Sequence, residues 1–222
     1  MNRLNHVAFI MDGNGRWGKK KKRNRNFGHY AGVKTVKKIV ETSIKLKIPI
    51  VTFYVFSTEN WKRPKKEINF LFKLIKNYFD TELNNVIKNG IKINIIGELK
   101  NLPISLKKIL KNTEKKTKSN RKIIVNLALN YGSKKELVYA ANRSKKRITE
   151  KEISKNLYTK SMPDPDILVR TGGRKRLSNF MLWQLAYTEL YFLDKLWPDF
   201  LSRDLEKIIK SYHKTKRNYG GV

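Results

Sequence analysis

The 222-residue chain contains no cysteine, which excludes disulfides and thiolate metal sites and fits a reducing compartment. Its three histidines, His6, His29 and His213, are too scattered for any zinc-ligand spacing. No apolar run approaches the roughly 20 residues that span a bilayer; the longest apolar-rich stretch is Ile48 to Phe56. The N-terminal run ends at Met11 against Asp12, too short for a signal peptide, so a soluble protein is expected. Internal repeats, low-complexity linkers and domain breaks are also missing. One domain spanning 1–222 is expected, long enough to bury a sizeable core.

Acidic residues are scarce as well, 18 Asp and Glu against 50 Lys and Arg, for a net charge of +32. Such a charge invites a nucleic-acid reading. The lysines, however, are spread over nearly every expected helix, and no contiguous arginine–aromatic face or binding module accompanies them. Solvated surface is the simpler account. An anionic lipid surface is a further candidate partner, at about 1 kcal/mol for each basic residue near it.

Five strand-like apolar runs recur: Val7 to Met11, Ile50 to Phe56, Ile91 to Ile96, Lys122 to Leu129 and Ile167 to Arg170. Helical spacing separates them, with Val33, Val36, Val40 and Ile44 on one face and Ile68, Leu71, Phe72, Ile75 and Phe79 on another. Ser133 with Glu136, and Thr149 with Glu152, have capping-box spacing and start two more helices, and Leu205 to Tyr212 forms a last one. The basic segment Asn142 to Lys151 has no apolar periodicity and reads as loose. This alternation predicts an α/β fold with a mostly parallel sheet covered by helices. Ligands of such sheets bind beyond the carboxyl ends of the strands.

Three polar segments fall at those ends. The first, Met11 to Trp17, reads MDGNGRW and runs into Lys19 to Arg25, which has no acidic residue. Gly13 and Gly15 let main-chain N–H groups approach a ligand, Asn14 tolerates the same tight geometry, and Arg16 and Arg25 can grip phosphate oxygens in two-pronged fashion. Asp12 beside them suits a metal-bridged polyphosphate. The same residues also fit a glycine turn with Asp12 as a helix cap and Lys19 to Lys22 as solvated loop, and composition leaves both open. The second segment is Ser57-Thr58-Glu59-Asn60-Trp61-Lys62-Arg63-Pro64, where Pro64 starts a helix. The third, Arg170 to Phe180, reads RTGGRKRLSNF and is a second anion-binding loop. Two such loops at one sheet edge imply two phosphorylated groups.

Together with FGHYAG at Phe27 to Gly32, Met181 to Phe192 and WPDF at Trp197 to Phe200, these motifs resemble the cis-prenyltransferases, above all the bacterial undecaprenyl diphosphate synthase type. The resemblance covers nearly the whole chain with motifs in the expected order. It implies an open, mostly parallel sheet surrounded by helices, with an apolar tunnel walled by the helix Ile68 to Phe79. The activity implied is successive condensation of isopentenyl diphosphate onto an allylic diphosphate such as farnesyl diphosphate, with Mg²⁺ as cofactor. A trans-prenyl synthase would need paired DDxxD motifs, which are missing.

Position by position, the resemblance makes Asp12 the catalytic aspartate that handles Mg²⁺, with Glu189 a second metal-associated carboxylate reached in a homodimer. Gly13, Asn14, Gly15, Arg16, Trp17, Arg25 and His29 match the allylic diphosphate pocket. Arg170, Arg176, Leu177 and Ser178 match the isopentenyl diphosphate site. Ser57, Thr58, Glu59, Asn60, Trp61 and Arg63 match a loop closing over both substrates, with Asn60 assisting proton removal. Trp17 or Trp61 is a reasonable neighbour of the carbocation-like centre, which must be kept from water. Two positions depart from the pattern: Arg174 stands where an acidic residue is common, and Asn218 where an arginine often precedes the tail aromatic. A cytoplasmic homodimer with peripheral membrane-lipid contact and no nucleic acid partner is implied; the alternative is a basic nucleic-acid-binding protein.

Overall fold

The computed structural model of the chain describes residues 2–144 and 147–218. Six strands, β1 (His6–Ile10), β2 (Ile50–Ser57), β3 (Ile91–Ile96), β4 (Ile123–Tyr131), β5 (Ile167–Arg170) and β6 (Glu189–Phe192), form one sheet in the order β3-β4-β2-β1-β5-β6. Each neighbouring pair is parallel, so the expected sheet is found without an antiparallel exception. The five expected runs match strands to within two residues. β6 was not expected as a strand: at four residues on the sheet edge, it has too little apolar run to stand out.

The strand sequences read as continuous apolar runs because both sheet faces are covered. Along β1, Val7 and Phe9 enter one core with Ile39, Val40, Phe53, Trp197 and Leu205, while Ala8 and Ile10 enter another with Leu168, Phe180 and Met181. Phe9 stacks on Phe53 at 5.0 Å and meets Trp197 edge-on at 5.9 Å. Buried polar side chains on the strands satisfy one another. Asn94 donates to Asn126 (3.0 Å), Asn126 to Thr52 (2.8 Å), and Thr52 lies 2.7 Å from His6 Nε2, a ladder across four strands.

Among the described residues, seven helices pack around this sheet: α1 (Asn14–Lys20), α2 (Arg25–Lys45), α3 (Lys65–Lys88), α4 (Ile104–Thr117), α5 (Ser133–Asn142), α6 (Glu150–Asn156) and α7 (Ser202–Lys214). Asn24 caps α2 by accepting from Phe27 N–H at 2.9 Å. Pro64 precedes α3 as its spacing indicated. Two expectations are corrected. The glycine-rich stretch after β1 is not an extended loop running to Lys22, because only Gly13 turns (φ 113°) and α1 starts at Asn14, carrying Lys19 and Lys20. Ser133 and Glu136 begin α5 without a capping box: the Ser133 hydroxyl accepts from Leu182 N–H, and Glu136 is buried against Tyr131, Tyr158 and Gln184. Thr149 does cap α6, accepting from Glu152 N–H at 3.2 Å. Of the loose segment, residues 145–146 lie outside the described residues, as do Tyr219 to Gly221 of the tail.

Among the described residues, no helix is long and apolar enough to cross a membrane.

Candidate active site

Sheet order decides where the motifs meet. β1 lies between β2 and β5, and the chain leaves β1 toward one side of the sheet and β5 toward the other. The carboxyl ends of β1 and β5 therefore form the switch-point crevice of an open α/β sheet. Asp12 and Arg170, 158 residues apart in sequence, meet there: Arg170 Nη2 donates to Asp12 Oδ2 at 3.1 Å.

Asp12 is held by its main chain, since its carbonyl accepts from Trp197 N–H (3.0 Å) and from the Thr171 hydroxyl (2.8 Å). Gly13 makes the turn that follows, and a Cβ there would lie 2.8 Å from Leu196 Cδ2 in a left-handed conformation, so only glycine suits the position. Arg16, from the first turn of α1, donates to Asp12 Oδ1 (3.2 Å) and to the Gly172 carbonyl (2.7 Å), tying the first anion loop to the second. Arg170 is buried to 3 % side-chain exposure and donates through Nη1 to Ser178 Oγ at 2.7 Å and to the Arg176 carbonyl.

The result is a cavity of about 650 Å³ at the sheet edge, lined by five arginines, Arg16, Arg25, Arg63, Arg170 and Arg176, and by two carboxylates, Asp12 and Glu59. Gly13, Asn14, Gly15, His29, Ser57, Asn60 and Ser178 also line it, so most of the expected site is gathered. Trp17, Thr58, Trp61, Leu177 and Glu189 are not among its lining residues. Trp17 stacks on Phe27 and donates to Asp199 (2.7 Å), and Trp61 donates to Asn130 (2.7 Å) while packing edge-on against Phe56 and Phe72. Neither indole lines the adjoining apolar cavity either. Glu189 pairs with Ile167 at the amino end of β5, so within one chain it is at the far end of the sheet from Asp12. Arg174 is exposed and outside the lining.

Three further groups at the site were not among the expected site residues. Tyr54, pointing off β2, donates toward the Ser178 carbonyl (3.3 Å) and stacks on Phe180 at 4.4 Å; burial, with Glu59 nearby, pushes its hydroxyl pKa up. Asn179 donates to Glu59 (2.8 Å) and joins the second anion loop to the segment after β2. Glu67, in the first turn of α3, accepts from Arg25 Nε (3.0 Å), Arg25 Nη2 (3.2 Å) and Arg63 Nη1 (3.2 Å), and its Oε1 lies 3.2 Å from His29 Nε2. Burial alone would raise the Glu67 pKa, but the Arg25, Arg63 and His29 contacts outweigh it and hold the carboxyl below its usual range. Burial lowers the His29 pKa despite the contact with Glu67.

Asn60 caps the 3₁₀ turn Thr58–Lys62: its Oδ1 accepts from Ser57 N–H at 3.1 Å. What remains to face a ligand is the amide NH₂, a donor rather than a base.

A second cavity, of about 180 Å³ and chiefly apolar, runs between α2, α3 and the sheet. Val33, Val36, Val40 and Ile44 of α2 face Leu71, Ile75 and Phe79 of α3 across it, so the α2 stripe and part of the α3 stripe read from the sequence form its walls, while Ile68 and Phe72 pack into the core. Met11, Asn14, His29, Val55 and Leu71 line both cavities and join them. An anionic head and an apolar tail on one ligand match this pair.

The implied metal fits the donor set. Asp12 is a single carboxylate, 31 % exposed, among arginines, and the described residues contain no cluster of three or more His, Cys, Asp or Glu side chains that could hold an ion alone. Mg²⁺ commonly binds through one or two carboxylates and takes its other ligands from phosphate and water.

Known proteins resemble this chain in sequence and fold. The family model described as "Putative undecaprenyl diphosphate synthase" matches residues 10–220. An isoprenyl transferase of Fusobacterium nucleatum is 47% identical over 98% of this chain and 96% of its own length, and one of Rickettsia sibirica is 44% identical over 99% of each. The crystal structure of a probable undecaprenyl diphosphate synthase from Campylobacter jejuni aligns over all of both chains with a TM-score of 0.85 and 37% identity. Lavandulyl diphosphate synthase from Lavandula x intermedia, in complex with dimethylallyl diphosphate, aligns over 98% of both chains with a TM-score of 0.93 and 32% identity.

Proposed function

The chain belongs to the undecaprenyl diphosphate synthase family of isoprenyl transferases, and from that premise we propose that it condenses isopentenyl diphosphate repeatedly onto an allylic diphosphate, farnesyl diphosphate being the primer. The product is a long-chain cis-polyprenyl diphosphate of the undecaprenyl kind, a carrier-lipid precursor for cell-wall synthesis. One observation carries the reading: a five-arginine cavity opens through shared residues into an apolar one.

The residues divide the work by their chemistry. Arg25, Arg63 and the N-terminal end of α1 hold the allylic diphosphate, while Arg170, Arg176 and Ser178 hold the isopentenyl diphosphate. Breaking the allylic carbon–oxygen bond puts negative charge on the departing diphosphate, and fixed arginines stabilise it without reorganising. Asp12 would hold Mg²⁺, whose charge would help neutralise the departing diphosphate. Val55 and Leu71 present apolar surface where the cavities join and keep water from the cationic carbon. With the Asn60 oxygen committed to Ser57, the proton lost from the isopentenyl unit goes to a diphosphate oxygen, and Asn60 contributes donors. A homodimer is the expected assembly, supported by the unpaired edge of β6 with Leu190 43% exposed and Tyr187 64% exposed beside it. A cytoplasmic location with peripheral contact at the membrane completes the reading, supported by the chain's excess of basic residues.

Purified protein given Mg²⁺, farnesyl diphosphate and labelled isopentenyl diphosphate is expected to make butanol-extractable product, sized against chain-length standards. Folded protein that makes none and instead binds RNA in a salt-sensitive manner would reverse the reading.

A further inference from the structure

Among the described residues, Glu67 is the one carboxylate on which three cavity-lining side chains from two other parts of the chain converge. Arg25 and His29 come from the first turns of α2, and Arg63 ends the segment after β2. All three line the diphosphate cavity, whereas Glu67 lies behind them with 10% side-chain exposure and is not part of the lining. Gly15 also lies close against the Arg25 guanidinium, since a Cβ there would lie 2.6 Å from Arg25 Cζ. Pro64 leaves only three residues between Arg63 and Glu67, so the carboxylate also fixes how the segment after β2 enters α3.

We propose that Glu67 is the positioning residue of the allylic diphosphate site, setting Arg25, His29 and Arg63 in one arrangement before the anion arrives. It rests on the reading of this cavity as a diphosphate site. The energetic logic is preorganisation: two arginines on separate elements lose rotamer freedom once, on folding, instead of on each binding event. A purely electrostatic role has the opposite signature. A carboxylate beside a bound polyanion repels it, so neutralising Glu67 would tighten anion binding if charge were its whole effect.

That difference in sign gives the test. Inorganic pyrophosphate is titrated calorimetrically into the full-length wild-type protein and Glu67→Gln, and KM and kcat are measured with farnesyl diphosphate and isopentenyl diphosphate. Positioning predicts that Glu67→Gln binds pyrophosphate at least tenfold more weakly and raises KM for the allylic substrate more than KM for isopentenyl diphosphate. Unchanged or tighter pyrophosphate binding overturns the proposal. If Glu67→Gln loses its cooperative melting transition, Glu67→Asp carries the same test. It keeps the charge but falls one methylene short of its three partners, so positioning predicts weaker binding and charge alone predicts none of it. Wild-type protein that binds pyrophosphate but turns over no allylic substrate refutes the prenyl-transfer reading while leaving the Glu67 result to stand. Wild-type protein that fails to bind pyrophosphate overturns both.

Discussion

Lowering the pH from 7 toward 4 should strip stability from this protein through His6, and the structure gives the size. His6 is fully buried on β1, its Nδ1 2.8 Å from the Pro163 carbonyl and its Nε2 2.7 Å from the Thr52 hydroxyl. A carbonyl only accepts, so Nδ1 carries the proton and neutral Nε2 accepts from Thr52, which in turn accepts from Asn126. Protonating Nε2 breaks that chain of donors and buries a charge. Burial pushes the pKa down from 6.5 to about 4, against the pull of the Pro163 carbonyl and Asp166. The folded pKa is therefore below the unfolded one, so between those two values the unfolded chain binds a proton that the native state refuses. Stability falls as pH drops through that window, and at about 1.4 kcal/mol per tenfold change in proton affinity the full loss is about 3 kcal/mol. Against a typical total of about 5–15 kcal/mol this is a large share. Urea unfolding followed by circular dichroism at pH 7, 6, 5 and 4.5, on wild type and His6→Gln, reads it directly. Subtracting the two profiles removes the other titrating groups and should leave a slope approaching one proton. Parallel profiles would refute the assignment of a neutral, buried His6.

Asp12→Ala should leave less than a tenth of the condensation activity, a barrier increase above ~1.4 kcal/mol, measured by turnover of labelled isopentenyl diphosphate; retention above that level would remove Asp12 from the metal role. Gly15→Ala should push the Arg25 guanidinium off Glu67, because the new methyl meets Arg25 Cζ at 2.6 Å. Pyrophosphate affinity should then fall several-fold with little change in melting temperature, and an unchanged isotherm would show that Arg25 does not need its present place. Ile75→Trp adds bulk to the apolar cavity wall and should shift the product ladder to shorter chains while sparing the first condensation, whereas an unaltered ladder would place the growing chain elsewhere.

Much of this was legible because the relevant patterns are local. Covered parallel strands read as unbroken apolar runs, and Val33, Val36, Val40 and Ile44 recur at helical spacing whatever they face. The stripes on α2 and α3 marked helices, and their packing showed that Val33, Val36, Val40 and Ile44 face Leu71, Ile75 and Phe79 across a cavity bordering the core. Ser133 and Glu136 misled for a related reason: their spacing satisfies a helix-start pattern, yet Glu136 is drawn inward by Tyr131 and Gln184, partners that no local pattern contains. Trp17 or Trp61 was a reasonable neighbour of the reacting carbon, but neither lines either cavity, and each indole N–H is committed to a hydrogen bond, to Asp199 and to Asn130. Glu67 gave no signal because a glutamate in a helix's first turn is common at exposed sites, and its burial here depends on α2 lying alongside α3.

The sequence by itself determined the α/β class, the succession of strands and helices, and the three polar segments at strand ends that carry the chemistry. Tertiary structure alone decided that Asp12 meets Arg170, that Arg25, His29 and Arg63 share one carboxylate, and that Glu189 lies at the opposite end of the sheet from Asp12. The physical reason is that periodicity and capping act within a few residues along the chain. Which strand lies beside β1, and hence which loops share the crevice, is set by packing both faces of the sheet at once.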